Sequence, residues 1–493
     1  MSTATEQQTT QSRPLWEGKI FNGSWTQGEN GTIDVTAPAT GQVIATVGAA
    51  SPADLDASVA TAQAAQRAWA KLPYDQRAQV FRKAAALLEA DPDRILRWLI
   101  PESGSAAGKA GFEIGGLVVG ELHEAAALTS EPYGELLQSS KPRLSLVRRL
   151  PLGVVGVISP FNFPAILAMR SVAPALALGN AVILKPDPRT PIGGGLALAE
   201  LLAEAGLPEG LLHVLPGGAD VGLALVAHPD VPCISFTGST PAGRTIGAAA
   251  APLLKKVHLE LGGNNALLVL PDADLDAAAS AGAWGSFLHQ GQICMTTGRH
   301  LVHSSVAEEY VAKLAAKADA IPVGDPTDPH NALGPIIDEG QRDKIHDIVT
   351  RSVEQGAVLA AGGTYDGLFY RPTVLAGVPH HAAAFTEEIF GPVAPVTTYE
   401  TVEEAIDIIN SSPYGLSVSL LTQDVYGALE LAERIESGAV HINDQTVDDE
   451  AVAPFGGAKT SGTGGRFGGK ANLDTFSEVQ WVTAQGEIQR YPF

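Results

Sequence analysis

Residues 154–186 read VVGVISPFNFPAILAMRSVAPALALGNAVILKP. VVGVIS (154–159) and AVILKP (181–186) are short β-branched runs, each closed by proline. Between them, MRSVAPALALG (169–179) has helical spacing. Strand, helix and strand in this order form a crossover that sets two parallel strands side by side. The alternation continues with a helix predicted over 193–205, a strand around HVLPG (213–217) and a strand at CISFTG (233–238). A doubly wound α/β unit follows. Upstream, 53–100 is rich in Ala, Leu, Arg and Glu at helical spacing, with Pro52 and Pro92 where helices should start.

A second alternation begins near KVHLELGG (256–263): NNALLVLP as a strand, DLDAAASAGAWGSFLHQ as a helix, RHLVHSS as a strand and EEYVAKLAAKADAI as a helix. Two α/β units therefore meet near residue 260. Segments 131–150 and 473–483 read as short strands outside both patterns and predict a small sheet arm.

Composition sets limits on function. The 493 residues exceed one compact core and imply two or three domains. A net charge of −22, from 54 acidic and 32 basic side chains, argues against nucleic-acid and anionic-membrane partners, since like charge repels phosphate. The N-terminal MSTATEQQTTQSRPLWEGKI has no apolar signal core, and LGVVGVI (152–158) is far too short to span a bilayer. Two cysteines, Cys233 and Cys294, make no disulfide framework, so a reducing cytoplasm is expected. No metal site is indicated: HEAAA (123–127) lacks a second histidine, and neither cysteine has a C-x-x-C neighbour.

Cys294 stands in QGQICMTTGR (290–299), beside turn-forming and polar residues, as a reactive thiol would. A nucleophilic cysteine acts as thiolate and needs a proton acceptor. His289 is one candidate, or else a surface or cap histidine. Glu260 in LELGGNNA (259–266) is another, as a desolvated base or as a strand-end ion-pair partner. Asn162, within PFNFP (160–164), is either an oxyanion donor or an Asx turn. FTGSTPAG (236–243) offers a phosphate-binding turn or an ordinary capped helix. Lys185 emerges at a strand's C-terminal edge, and EEIFGP (387–392) supplies Glu388 and Phe390.

SPFNFP, VILKP, SFTGST, LELGGN, QGQIC, EEIFGPV and PFGGAKTSG occur in the order found in the NAD(P)-dependent aldehyde dehydrogenase superfamily, which the chain resembles from about residue 18 to 483. The resemblance implies two doubly wound parallel-sheet domains and a small bridging arm. Residues 1–130 with 152–259 would form the dinucleotide-binding domain, 260–462 the catalytic domain, and 131–151 with 463–493 the arm that pairs subunits into homodimers or homotetramers. It also implies roles: Cys294 as nucleophile, Glu260 as general base, Asn162 with the Cys294 N–H as oxyanion hole, and Glu478 as a proton relay. Lys185 would bind the adenosine ribose, Ser239 the pyrophosphate and Glu388 the nicotinamide ribose. Phe390, Ser159, Phe161, Gly238 and Leu261 would complete the cofactor site.

Pro188 departs from the resembled pattern, for many NAD-preferring members carry glutamate three residues after the lysine. NAD use with NADP also accepted is therefore expected. KPDPRTP, HQGQICMTTGRH and HINDQTVDDE look most like the benzaldehyde and vanillin dehydrogenase branch, which implies an aromatic aldehyde as substrate. Phe163, Leu167, Ile293, Met295 and Phe455 would line its tunnel. Arg170, often a bulky aromatic in the family, would face either an acidic partner or a polar ring substituent. The competing readings are an aliphatic or broad-specificity enzyme, a CoA-acylating enzyme and a non-catalytic cofactor-binding relative.

Overall fold

The structure, a computed structural model, describes residues 14–493. Most of the polar N-terminal stretch read above thus lies outside the described residues. The β-branched runs become the centre of an eight-stranded sheet. Its five inner strands, Leu212–Val214, Ala181–Lys185, Val154–Ile158, Cys233–Thr237 and Lys256–Glu260, are parallel neighbours in that order. Chain order reverses between Val154–Ile158 and Cys233–Thr237, leaving a crevice beyond their carboxyl ends where α/β sheets bind ligands.

The helix linking the first two inner strands runs Pro164–Ala177, starting five residues before the helical spacing is evident in the sequence. Its proline at the first position is preset for helix and forfeits only an N–H that would lack an intrahelical partner. All its residues are buried, Arg170 included, so no polar face exists to reveal where it begins. The expected helix over 193–205 starts instead as a π-type turn, Ile192–Leu196, and continues as Ala197–Ala205. Glu102 lies fully buried against that turn and accepts from the Ile192 and Gly193 N–H groups at 3.2 and 2.6 Å.

A seven-stranded sheet holds Val358–Ala361, Thr373–Ala376, Val393–Tyr399, Thr297–His303, Asn265–Val269, Ser417–Leu421 and Ala439–Ile442, all parallel except the first pair. Strand Lys256–Glu260 belongs to the first sheet, where Gly462–Thr463 covers its outer edge. A third sheet of Gly134–Leu136, Leu144–Pro151 and Ser477–Ala484 forms an arm, with Leu136, Val479 and Trp481 exposed on it. No helix among the described residues is long and apolar enough to cross a membrane.

Candidate active site

Cys294 is delivered by an unusual approach. Helix Leu275–Phe287 ends in the short turn Leu288–Gly291, where His289, Gln290 and Gly291 all take left-handed backbone conformations. For non-glycine residues this costs free energy that surrounding contacts must offset. Gln290 provides them, its Nε2 donating to Gly104 O at 2.9 Å and Pro335 O at 2.8 Å. Gly291 is required by space as well, since a Cβ there would lie 2.0 Å from Gly391 O. Asn265 Nδ2 then donates to Cys294 O and Thr296 O, both at 2.8 Å, fixing the cysteine's backbone. Burial pushes the thiol up to about 12; Arg170 opposes this, whereas Glu388, Glu260 and Asp449 add to it. At neutral pH the resting sulfur is protonated, and chemistry requires a base.

Asn162 lies in the loop between strand Val154–Ile158 and helix Pro164–Ala177 and is buried. Its amide is no Asx turn: Nδ2 donates to Gln292 O at 2.9 Å, which ties the loop to the cysteine turn. Beneath it, buried Lys109 donates to Asn162 O at 2.8 Å and to Glu113 Oε2 at 2.6 Å, with its ammonium 3.8 Å from the Phe163 ring centroid. Glu113 Oε1 accepts from the N–H groups of Ala165 and Ile166, so a buried carboxylate satisfies the exposed donors of the helix start. Sequence reading missed this pair. The available signal was two opposite charges, i and i+4, in AGKAGFE (107–113).

Two cavities meet at Cys294 and Asn162. The larger, about 380 Å³, lies over the strand-order reversal. Ser159, Phe161, Lys185, Gly238, Ser239, Leu261, Glu388 and Phe390 all line it. Ser239 caps helix Thr240–Ala250, so the free N–H groups of that helix start face the cavity. Ser159 Oγ is buried there without a protein partner. Glu388 Oε1 accepts from Gly263 N at 3.0 Å, and a Cβ on Gly262 would fall 2.2 Å from the same carboxylate, which explains the paired glycines. Phe390 has a left-handed φ of 56° and meets Phe161 edge-on at 6.0 Å. A buried hydroxyl without a protein partner, a helix start and a carboxylate held by a backbone N–H fit a dinucleotide. At the Lys185 end, Arg189 bonds Asp187 through both Nε and Nη2 at 2.9 Å and Asp338 at 2.6 Å, over the Phe161 ring.

The second cavity is lined by Phe163, Leu167, Arg170, Ile293, Met295 and Phe455, together with Asp449. Of the two alternatives left by the sequence, the acidic partner is the one observed for Arg170. It faces an acid, Asp449, at 3.7 Å, yet remains in the pocket wall, stacked 4.6 Å from Phe455 and 4.5 Å from Phe467.

Glu260, the last residue of its strand, is buried and accepts from His258 Nε2 at 3.0 Å and from Gly457 N at 3.2 Å. Glu478 is not brought to this site. It is exposed on the arm strand opposite Leu150, where alternation turns Ser477 inward and Glu478 outward, and it lines neither cavity. Burial, with the Asp448 and Glu260 charges, raises the Asp449 carboxyl, so a further carboxylate lies within electrostatic reach of Glu260. His289 answers neither of its readings. It is buried, both ring nitrogens lack partners, and the ring packs edge-on against Phe163 at 5.5 Å. Burial and Lys109 hold its pKa well below the usual imidazole range.

The sequence matches the profile of the aldehyde dehydrogenase family over residues 25–482. It is 58% identical over 479 residues to a vanillin dehydrogenase of Amycolatopsis sp., covering 97% of this chain and 98% of that protein. It is 48% identical over 485 residues to a benzaldehyde dehydrogenase (NAD(+)) of Pseudomonas putida, covering 98% and 99%. Among solved structures, an aldehyde dehydrogenase from Brucella melitensis biovar abortus superposes with a TM-score of 0.93 at 34% identity, covering 97% of this chain and 99% of that one. An NAD+ complex of an aldehyde dehydrogenase from Bacillus cereus gives 0.92 at 34%, covering 96% and 97%.

Proposed function

The chain belongs to the aldehyde dehydrogenase family, and from that premise we propose that it oxidises an aromatic aldehyde of the benzaldehyde and vanillin type to the carboxylic acid with NAD. The observation that carries the reading is the meeting of two cavities, one fit for a dinucleotide and one walled by aromatic and aliphatic side chains, at a single cysteine. A flat ring suits the second cavity by area burial and by edge contacts with Phe163 and Phe455. Arg170 and Asp449 in its wall suit a hydroxyl on the ring, which can accept from one and donate to the other.

Cys294 adds to the aldehyde carbonyl as thiolate after its proton passes to a base. The oxygen that gains charge is held by Asn162 Nδ2 and the Cys294 N–H, donors already fixed before reaction and therefore costing little reorganisation. A nicotinamide held in the larger cavity would supply the hydride acceptor. Cys294 is left as a thioester, which replaces one difficult step by two easier ones. Glu260 takes a proton from water, and the resulting hydroxide releases the acid. Glu388 and Ser239 orient the cofactor, and the aromatic walls exclude bulk water.

Asp187 places a carboxylate one residue before Pro188 and occupies Arg189. NAD is therefore preferred, and NADP is accepted when Arg189 turns to its 2′-phosphate. The exposed apolar side chains of the arm suit pairing of copies as a homodimer or homotetramer, and the protein works in the cytoplasm. The test is the initial rate of nicotinamide reduction with benzaldehyde, acetaldehyde and hexanal, each with NAD and NADP. A specificity constant at least tenfold higher for benzaldehyde is expected. Faster aliphatic turnover overturns the aromatic assignment.

A further inference from the structure

The base stands apart from the nucleophile it must serve. Cys294 and Asn162 line both cavities, whereas Glu260 lines neither. Its carboxylate is turned back along its own strand, where residues i and i+2 share a face. His258 Nε2 meets Oε1 at 3.0 Å and Gly457 N meets Oε2 at 3.2 Å. A Cβ on Gly456 would sit 2.7 Å from Oε1, so the withdrawn carboxylate occupies space that only glycine leaves free.

His258 is buried, and its Nδ1 has no partner. The ring that costs least in this setting carries its proton on Nε2, donates it to Glu260 and leaves Nδ1 bare. The imidazole lies 4.3 Å from the Phe467 ring, whose other neighbours include the Arg170 guanidinium. Phe467 in turn exchanges two backbone hydrogen bonds with Phe455 in the substrate wall, at 3.0 and 2.9 Å. His258 thus touches the base on one side and the scaffold of the substrate pocket on the other.

We infer that His258 is a positioning residue that holds Glu260 withdrawn from Cys294, so that the base reaches the thiol and the hydrolytic water only when this hydrogen bond opens. The inference rests on Glu260 being the base. Its consequence is a thiol that stays quiet in the cofactor-free protein, because the carboxylate that takes its proton is engaged elsewhere. A hydrogen bond to a charged acceptor is among the stronger contacts a side chain makes, and Gly457 alone holds the carboxylate less firmly.

The experiment is alkylation of Cys294 by iodoacetamide in the cofactor-free full chain at pH 7.5, read by peptide mass spectrometry. In this step the Sγ proton passes to Glu260, the sulfur–carbon bond forms and iodide leaves. His258→Phe keeps the ring against Phe467 and removes the donor, and it is expected to alkylate about tenfold faster than the parent. His258→Gln retains an N–H donor and is expected to restore the parental rate. The double variant His258→Phe with Glu260→Gln is expected to lose the acceleration. A change under twofold in His258→Phe, or acceleration that survives in the double variant, overturns the inference. If His258→Phe does not fold, as read by its melting transition, His258→Leu takes its place with the same expected rates. Glu260→Gln alone tests the underlying reading separately: unchanged steady-state kcat would overturn Glu260 as base whatever the alkylation rates show.

Discussion

Replacing Lys109 by methionine should unfasten the Asn162 loop without changing any residue that lines the two cavities. Lys109 and Glu113 are both buried, with side chains 1% and 0% exposed, and their charges lie 2.6 Å apart. Methionine keeps the length and apolar stem but leaves the Glu113 carboxylate in the interior without its cation. Removing one partner of a buried pair costs about 3–5 kcal/mol, chiefly because the remaining charge is uncompensated. The two N–H groups of Ala165 and Ile166 still bond Oε1, which favours the lower part of that range. Loss of the cation above Phe163 at 3.8 Å adds about 0.5–2 kcal/mol. The expected cost is therefore about 4 kcal/mol, measured by urea titration followed through tryptophan fluorescence, with hydrogen exchange at residues 164–166 reporting the helix start. Turnover should fall more than tenfold with little change in the KM for NAD, because Asn162 loses the bond at its carbonyl. The double variant Lys109→Met with Glu113→Gln should regain more than half of the stability, as no bare charge remains. A loss under about 1 kcal/mol with unchanged turnover would refute the reasoning.

On the proposed mechanism, Asn162→Ala removes the oxyanion donor and should lower kcat about 10²–10³-fold, checked by steady-state kinetics with the protein's melting transition as control. Asp187→Ala combined with Asp338→Ala should free Arg189 from both of its carboxylate partners and tighten NADPH relative to NADH by at least about tenfold, read by nucleotide fluorescence as well as by rates. The Cys294 thiol is raised to about 12, so alkylation of the cofactor-free protein should climb with pH from 7 to 10; a plateau below pH 9 would contradict the assignment. Burial raises Glu102 to about 8 against the Gly193 and Ile192 N–H groups, which pull it down. The folded state therefore holds a proton that the unfolded chain has already released, and this contribution to stability is lost as pH rises from about 4.5 to 8. Glu102→Gln should flatten that slope in urea titrations at pH 5 and pH 8, with its advantage greatest at pH 8.

Periodicity alone determined the two parallel α/β units and the arm. Short β-branched runs closed by proline, such as 154–159 and 181–186, leave few other ways to bury their faces. That Cys294, Asn162 and the two glycines after Glu260 sit in tight turns was legible for the same kind of reason, because turn chemistry and close backbone approach restrict residue type locally. What the sequence could not decide depends on distances across the fold. Glu478 looked like a relay until strand pairing turned it outward, and His289, open in sequence to a pairing with Cys294 or to a surface or cap position, is buried by a left-handed turn beside Phe163. Lys109 and Glu113 are 53 and 52 positions from the backbone atoms they hold, and Asp449 comes to Arg170 from nearly 280 residues away. Their functions arise from burial and charge contacts that exist only when distant segments meet. Tertiary structure decided these roles because a low-dielectric interior gives such contacts their strength, and the linear sequence does not state which segments will share that interior.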